Sequence, residues 1–565
     1  MNSRNALLFA GAMLLPALGF AQAVKRPPLP VAPPQPPAGA AQPAPAQGLL
    51  QAPTGLPQPS VRPQSYAEWL KGYYHIYSIP KKTAILLGGN RVRPNRMLNM
   101  VLEIVGETGD NYLVRNLPPE DPQAVGHATW IANERTEISQ KAKIEYLQDK
   151  WLIVDNPDLP PPFTDKVRFV EADKGLPKGG RWQISFDIAD MNGDGLPDLV
   201  FGPARTGEPV PHVFMQQKDH SWQEVRATWP TKGLKLDYGT VRVADFDGDG
   251  NQDIAIACHF SKTYVLYGDG KGNFTRFATI PQTNPTMTAR ALAVADFNND
   301  GRPDIASYAE LDINMANAER LASGLVNIAL NLPSGWKAVG EKSFPAYLMG
   351  DRLTAADIDM DGNQDLLLTS HASNVMSLIF RNLGGGEAWQ PIAADEQPVY
   401  AYVLANAAGP LDRFRQPDVL ECFEQLNPWR SETPTQACAI YRFHDASGRP
   451  TLTPTRTVLF QEKSNSNYKA AAIGDIDGDG RDDIVVASNT GRVRVFLQGA
   501  DGEFYEQKNP GMDQPGTDIF DVRIADLYHD GRGEIVFAGA PVDQQGGGIW
   551  IYQPRLLGGA ARKGP

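Results

Sequence analysis

Through the last two-thirds of the chain, short apolar runs alternate with tight polar turns, and the runs are too short for helices. A unit opens with a run such as "VRVAD" or "ALAVAD", breaks at an acidic turn, and resumes as "DIAIA" or "DIVVA". A third run follows ("KTYVLYGDG", "RVRVFLQGADG") and ends at a Gly-Asp or Asp-Gly turn; a fourth ("FTRFATI", "FYEQKN") completes the unit. Apolar, β-branched runs of this length between turn residues predict antiparallel strands joined as hairpins. Four short strands cannot bury both faces of their sheet alone, so a repeat of about 50–60 residues predicts blades stacked around an axis.

The acidic turn fixes the register. Copies begin at Asp190 ("DMNGDGLPDLVFG"), Asp245 ("DFDGDGNQDIAIA"), Asp296 ("DFNNDGRPDIASY"), Asp357 ("DIDMDGNQDLLLT") and Asp475 ("DIDGDGRDDIVVA"), with a worn copy at Asp526 ("DLYHDGRGEIVFA"). The intervals are 55, 51, 61, 118 and 51 residues, so one is double. A hidden copy belongs near 410, where "PLDRFRQPDVLECF" places Pro417-Asp418 before an apolar run, as Pro303-Asp304 stands in the third copy. The count is seven. After the seventh turn only two runs remain, and "KVRFVEAD" around Lys166 is expected to supply the missing outer strand and close the ring.

Positions 1, 3, 5 and 9 of each good copy carry Asp or Asn, and position 6 is Gly. Acids this close repel unless a cation lies among them. Hard divalent ions take six to eight oxygens, alternate residues of a tight loop can face one centre, and the glycine permits the turn. An EF-hand would need Glu at position 12 and flanking helices; here position 12 is apolar and strands flank. The pattern resembles the FG-GAP/VCBS repeats of integrin α-subunit-type calcium-binding propellers, over roughly residues 165 to 555. The resemblance implies about five Ca²⁺ sites. Their ligands would be Asp190, Asn192, Asp194 and Asp198; Asp245, Asp247, Asp249 and Asp253; Asp296, Asn298, Asp300 and Asp304; Asp357, Asp359, Asp361 and Asp365; and Asp475, Asp477, Asp479 and Asp483. The fifth copy, with Pro410 and Phe414 at ligand positions and only Asp412 and Asp418 kept, is expected to hold no metal. The seventh has Tyr528 and Glu534 where ligands are needed, and its occupancy stays open.

The strand leaving each loop travels roughly 20 Å in six residues and so reaches the far end of its blade. Ala204, His259, Glu310, His371, Glu424, Asn489 and Ala540 stand at that distance, and Tyr238, Arg290, Arg352, Tyr468 and Lys469 enter the inner strands from the same side. In the integrin relatives the face opposite the calcium loops takes part in ligand binding. That makes His259, Glu310, His371, Glu424, Asn489, Tyr238, Arg290, Tyr468 and Lys469 the candidate ligand face, for a protein or glycan.

The rest of the chain sets the setting. Arg4, an apolar stretch over 6–20 and Ala21-Gln22-Ala23 read as an export signal (1–23), implying a periplasmic or secreted protein. Residues 24–64 hold 13 prolines and read as a disordered, extended linker. Residues 65–164 read as a small α+β or β domain: "SYAEWLKGYYHIY" as a helix with a capping box at Ser65 and Glu68, and "MVLEIVGETGDNYLVRNL" as a hairpin around Gly109-Asp110. Its aromatic residues Trp69, Tyr73, Tyr74 and Tyr77 suit a core or a docking surface for an envelope partner. The propeller takes 165–557, and 558–565 form a tail. The fold class is therefore all-β, a seven-bladed propeller with calcium loops behind a small domain and a Pro-rich linker. A net charge of −12 without a basic run argues against nucleic acid, and no later segment is long and apolar enough to span a bilayer. Cys422 and Cys438 fall on neighbouring strands of the fifth blade and suit either a disulfide or two buried thiols; Cys258 lies in an apolar run of the second. No nucleophile elbow, zinc-protease helix or nucleotide loop appears, which favours a binding module over the alternatives, a carbohydrate-active enzyme such as a polysaccharide lyase or a structural envelope subunit.

Overall fold

The computed structural model describes residues 77–81, 84–88, 91–94, 102–108, 111–116 and 158–557, apart from 204–209, 231, 260, 286, 310–325, 341–342, 345–349, 371–377, 393–400, 426–432 and 543–545. Seven antiparallel sheets follow one another. Blade 1 spans 186–224, blade 2 241–279, blade 3 291–339, blade 4 353–392, blade 5 401–463, blade 6 468–507 and blade 7 517–556. Every acidic turn, including the hidden one at 410–417, lies between the first and second strands of its blade. The fourth strand of blade 7 is Val167–Glu171, paired antiparallel with Gly548–Leu556, so two distant parts of the chain close the ring. One addition had no counterpart in the sequence pattern: Phe163–Thr164 joins blade 6 as a fifth strand, parallel to Phe504–Gln507. First strands of successive blades lie side by side around the axis.

The apolar core lies between the blades, and position 2 of each loop is its most regular member. Met191, Phe246, Phe297, Ile358, Leu411, Ile476 and Leu527 are all buried. Phe246 packs with Ile305 and Ala329 of blade 3, Ile476 with Ile519 and Val522 of blade 7, and Leu527 with Phe186 and Leu199 of blade 1. The carbonyl of the same residue is used as well. Near the end of the next blade's third strand an amide side chain donates to it: Gln216 to Leu527 O (3.1 Å), Asn331 to Phe246 O (2.7 Å), Asn382 to Phe297 O (2.8 Å) and Gln498 to Leu411 O. The Gln216 clasp joins blade 1 to blade 7 and so reinforces the closure. An Asn382→Ala variant leaves a buried carbonyl without its partner, and its unfolding free energy is expected to fall by about 1–3 kcal/mol in denaturant titration.

Upstream, the described strands form a separate five-stranded antiparallel sheet in the order Tyr77–Pro80, Asn111–Asn116, Leu102–Thr108, Arg91–Pro94, Ala84–Gly88. Thr108 pairs with Asn111, which is the hairpin expected around Gly109-Asp110. The expected export signal, linker and tail, and residues 65–76 of the expected helix with Trp69, Tyr73 and Tyr74, lie outside the described residues. Tyr77, which ends the expected helix, is the first residue of a strand. Among the described residues no helix is long and apolar enough to cross a membrane.

Candidate metal loops and the opposite face

Each loop closes on its own backbone before any ion is considered. The position 1 aspartate accepts the position 5 N–H through Oδ1 (3.0–3.2 Å) and the position 6 glycine N–H through Oδ2 (2.7–3.0 Å). This holds at Asp190, Asp245, Asp296, Asp357, Asp475 and even the worn Asp526. The glycine sits at φ of 80–89° in all six, a region where a side chain is strained. Position 4 is also left-handed, at Gly193, Gly248, Asn299, Met360, Gly478 and His529. Met360 is the poorest fit, since it is neither glycine nor able to bond its own backbone there, and it is half exposed. Met360→Asn is expected to stabilise the chain by about 0.5–1 kcal/mol, seen as a higher denaturant midpoint with an unchanged slope.

Position 9 differs from the rest. Asp198, Asp253, Asp304, Asp365 and Asp483 are the first residues of their second strands and are wholly buried. Oδ2 of each accepts the position 2 N–H (2.8–2.9 Å), and Oδ1 accepts an N–H of the third strand, from Gln216, Gly268, Asn331, Asn382 and Gln498 (2.7–2.9 Å). One carboxylate thus pins the loop to two strands. Burial pushes these acids up, to about 6 for Asp198, Asp253 and Asp304, about 7 for Asp365 and about 8 for Asp483, against the backbone donors that pull them down.

Oxygens of Asp245, Asp247 and Asp253 lie within 4.8 Å of one another, as do those of Asp475, Asp477 and Asp483 and those of Asp357, Asp359 and Asp361. An all-oxygen donor set suits a hard cation, and Asp359 Oδ1 is buried without a hydrogen-bond partner. The residues therefore fit a divalent ion. In the first and third loops the Asn at position 3 turns its amide to position 5, Asn192 to Asp194 (3.2 Å) and Asn298 to Asp300 (3.1 Å).

The two departing loops have their own solutions. In blade 5, His444 Nε2 reaches Asp412 (2.7 Å) and Asp418 (3.6 Å), and Arg442 Nε lies 4.0 and 3.8 Å from the same acids. Phe414 packs edge-on against the imidazole, 5.0 Å between centroids. Two third-strand side chains thus stand among the acids of this loop, and blade 4 has a parallel in Arg381, which reaches Asp359 and Asp361 from its own third strand. Blade 5 also carries a Cys422–Cys438 disulfide between directly opposed residues, with Cα atoms 4.1 Å apart. In blade 7, Glu534 replaces Asp and accepts Leu527 N–H (2.8 Å). Its Oε1 is buried without a partner among the described residues, because Pro554 stands at the register where other third strands offer an N–H.

At the other end of the blades the expected face is largely built into the ring. Tyr238, His259, Glu424, Asn489 and Tyr468 are buried. Tyr238 and His259 pack together (4.8 Å), Asn489 Oδ1 accepts Asn467 N–H while Asn467 Nδ2 donates to Glu424, and Tyr468 donates to Glu462. Arg290 reaches Asp351 (3.5 Å) and Lys469 reaches Asp518 (2.6 Å), each an ion pair between neighbouring blades. Glu310 and His371 lie outside the described residues. The loop pattern does not point to the amides Gln216, Asn331, Asn382 and Gln498 or to His444; their signal is a polar residue recurring near the end of the third apolar run.

The match to a repeat family agrees with this geometry. The FG-GAP-like repeat family matches residues 190–256, 245–307 and 475–537. Cartilage acidic protein 1 of Homo sapiens is 26% identical over 290 residues, covering 45% of this chain and 40% of that protein. The chain thus spans about two-fifths of the length of that curated relative. Among solved structures, BBS1N in complex with ARL6DN, soaked with lead, is similar with a TM-score of 0.40 and 9% identity, over 69% of this chain and 97% of that one. The chain carries FG-GAP-like repeats, and they are assembled as a seven-bladed β-propeller.

Proposed function

We propose that the chain is an exported, calcium-binding propeller that recognises a protein or glycan through the face opposite its acidic loops. The observation that carries this reading is the division of labour between the two ends. At one end the acids are committed to loop closure and, in three loops, to all-oxygen clusters that suit Ca²⁺; the loops at Asp190 and Asp296, with the same spacing, bring the expected number to about five. At the other, Arg290 and Lys469 stand at the entrances of the inner strands with part of their side chains in solvent. The disulfide of blade 5 supports an oxidising compartment, periplasmic or extracellular, where calcium at millimolar levels also suits loops of this kind. Residues 65–164 are then a docking piece for an envelope partner. The test is binding of the calcium-loaded full-length protein to glycan and cell-surface protein arrays, with Arg290→Gln and Lys469→Gln alongside. A ligand bound by the parent and lost by folded variants supports the reading; equal binding by parent and variants places recognition elsewhere. Sequencing the N-terminus of protein recovered outside the cytoplasm is expected to begin at Val24.

A further inference from the structure

The inner strands enclose a cavity of about 210 Å³ on the axis, and its walls are unequal in charge. Arg242, Arg352, Lys469 and Arg523 line it, against a single acid, Asp521. Lys469 is neutralised by Asp518, and Asp521 accepts from Ser185 and lies 3.4 Å from Arg523. Arg242, Arg352 and Arg523 share Asp521, and Asp187 acts on Arg242 and Arg523 as well. Three guanidinium groups converge on one short segment, residues 184–186. Arg242 donates to Ser185 Oγ (2.9 Å), Arg523 to the same oxygen (3.3 Å), and Arg352 to the carbonyl of Ile184. Ile184 is held at φ of 79°, which is costly for a β-branched residue. Donors are left over. Arg523 Nε is buried without a partner, and so is Nδ2 of Asn406, a 7% exposed residue on the cavity wall whose carbonyl is taken by Thr354. Burial first, and then the neighbouring Arg523 charge, pull Arg242 down to about 10, against Asp187 and Asp521, which pull it up. Side chains of Arg523 and Lys469 are 30% and 20% exposed, which gives the cavity a way out to solvent.

We propose that this axial cavity binds a small oxyanion, a carboxylate or sulfate group, through Arg242, Arg352, Arg523 and the amide of Asn406. Planar guanidinium forks match such groups, and an anion with several acceptor oxygens would satisfy the leftover donors together. The site is distinct from the acidic loops, and it stands whichever macromolecule the outer face recognises. Isothermal titration of the calcium-loaded full-length protein with sulfate, acetate and glucuronate, at constant ionic strength in chloride, tests it. Saturable binding of one ion per chain is expected, weakened at least tenfold in Arg352→Gln. Asn406→Leu removes the amide donor without altering the cavity's charge and is expected to weaken binding as well, which decides the matter should the arginine variant fail to fold. Tighter binding of glucuronate than of sulfate identifies the acid group of a sugar as the source, and the reverse order a free inorganic ion. Absence of saturable binding for all three, or equal binding by Asn406→Leu, overturns the proposal.

Discussion

Calcium at about 1 mM is expected to raise the thermal midpoint of the purified chain by many degrees, and chelation to reverse the gain fully. Loops of extracellular type bind with dissociation constants of roughly 10⁻⁴–10⁻³ M. At about ten times such a constant each site adds about 1.4 kcal/mol by mass action, so five independent loops contribute up to about 7 kcal/mol. The gain also depends on pH, with a sign that can be worked out. Asp253, Asp365 and Asp483 have folded-state values of about 6, 7 and 8, above the ordinary carboxylate value near 4. The metal-free folded chain therefore holds more protons than the unfolded chain across that window, and its stability falls as pH rises through it. Calcium binds only the ionised acids. The difference in midpoint between calcium and chelator is thus expected to be larger at pH 8 than at pH 5, measured by scanning calorimetry. An unfolding curve indifferent to calcium at pH 8 removes the metal from the loops.

Much of this was legible because the repeat is written in residue types that have few other uses. A carboxylate at positions 1, 5 and 9 with Gly at 6 marks a turn, and the apolar runs on either side mark its strands; the doubled interval between such turns, with Pro417-Asp418 before an apolar run, located even the blade whose loop has Pro410 and Phe414. The ring closure followed from counting strands. What was not legible depends on partners brought from elsewhere in the chain. Lys469 looks like a free cation until Asp518 of the next blade is beside it, and Arg290 until Asp351 is. Asn382 is one polar residue in an apolar run, and only the fold shows that it faces Phe297 O, 85 residues away in sequence. His444 gives no local hint that it will meet Asp412 and Asp418. The pairing of Phe163–Thr164 with blade 6 is likewise invisible, because two residues carry no periodicity.

Within one loop, two aspartates that look equivalent in sequence are expected to behave differently when replaced. Asp253 is wholly buried and accepts the N–H groups of Phe246 and Gly268, each at 2.8 Å. Asp253→Ala leaves both donors buried and unpaired, at about 1–3 kcal/mol each, and is expected to cost about 2–5 kcal/mol already in chelator, with that loop's share of the calcium gain lost in addition. Asp253→Asn restores one acceptor and turns an NH₂ towards the other N–H, so an intermediate loss is expected. Asp247 lies near the surface, with Arg276 at 2.6 Å, a surface pair worth little in itself. Asp247→Ala is therefore expected to cost under about 1 kcal/mol in chelator and to remove only that loop's share of the calcium gain. Denaturant titrations of the variants with and without calcium separate two roles that the repeat superimposes. A loop whose acids served the ion alone would show all its losses in calcium and none in chelator. The two backbone bonds at Asp253 predict otherwise for position 9: the strand-to-loop anchor comes first, and the ion is held by a frame that this residue has already closed.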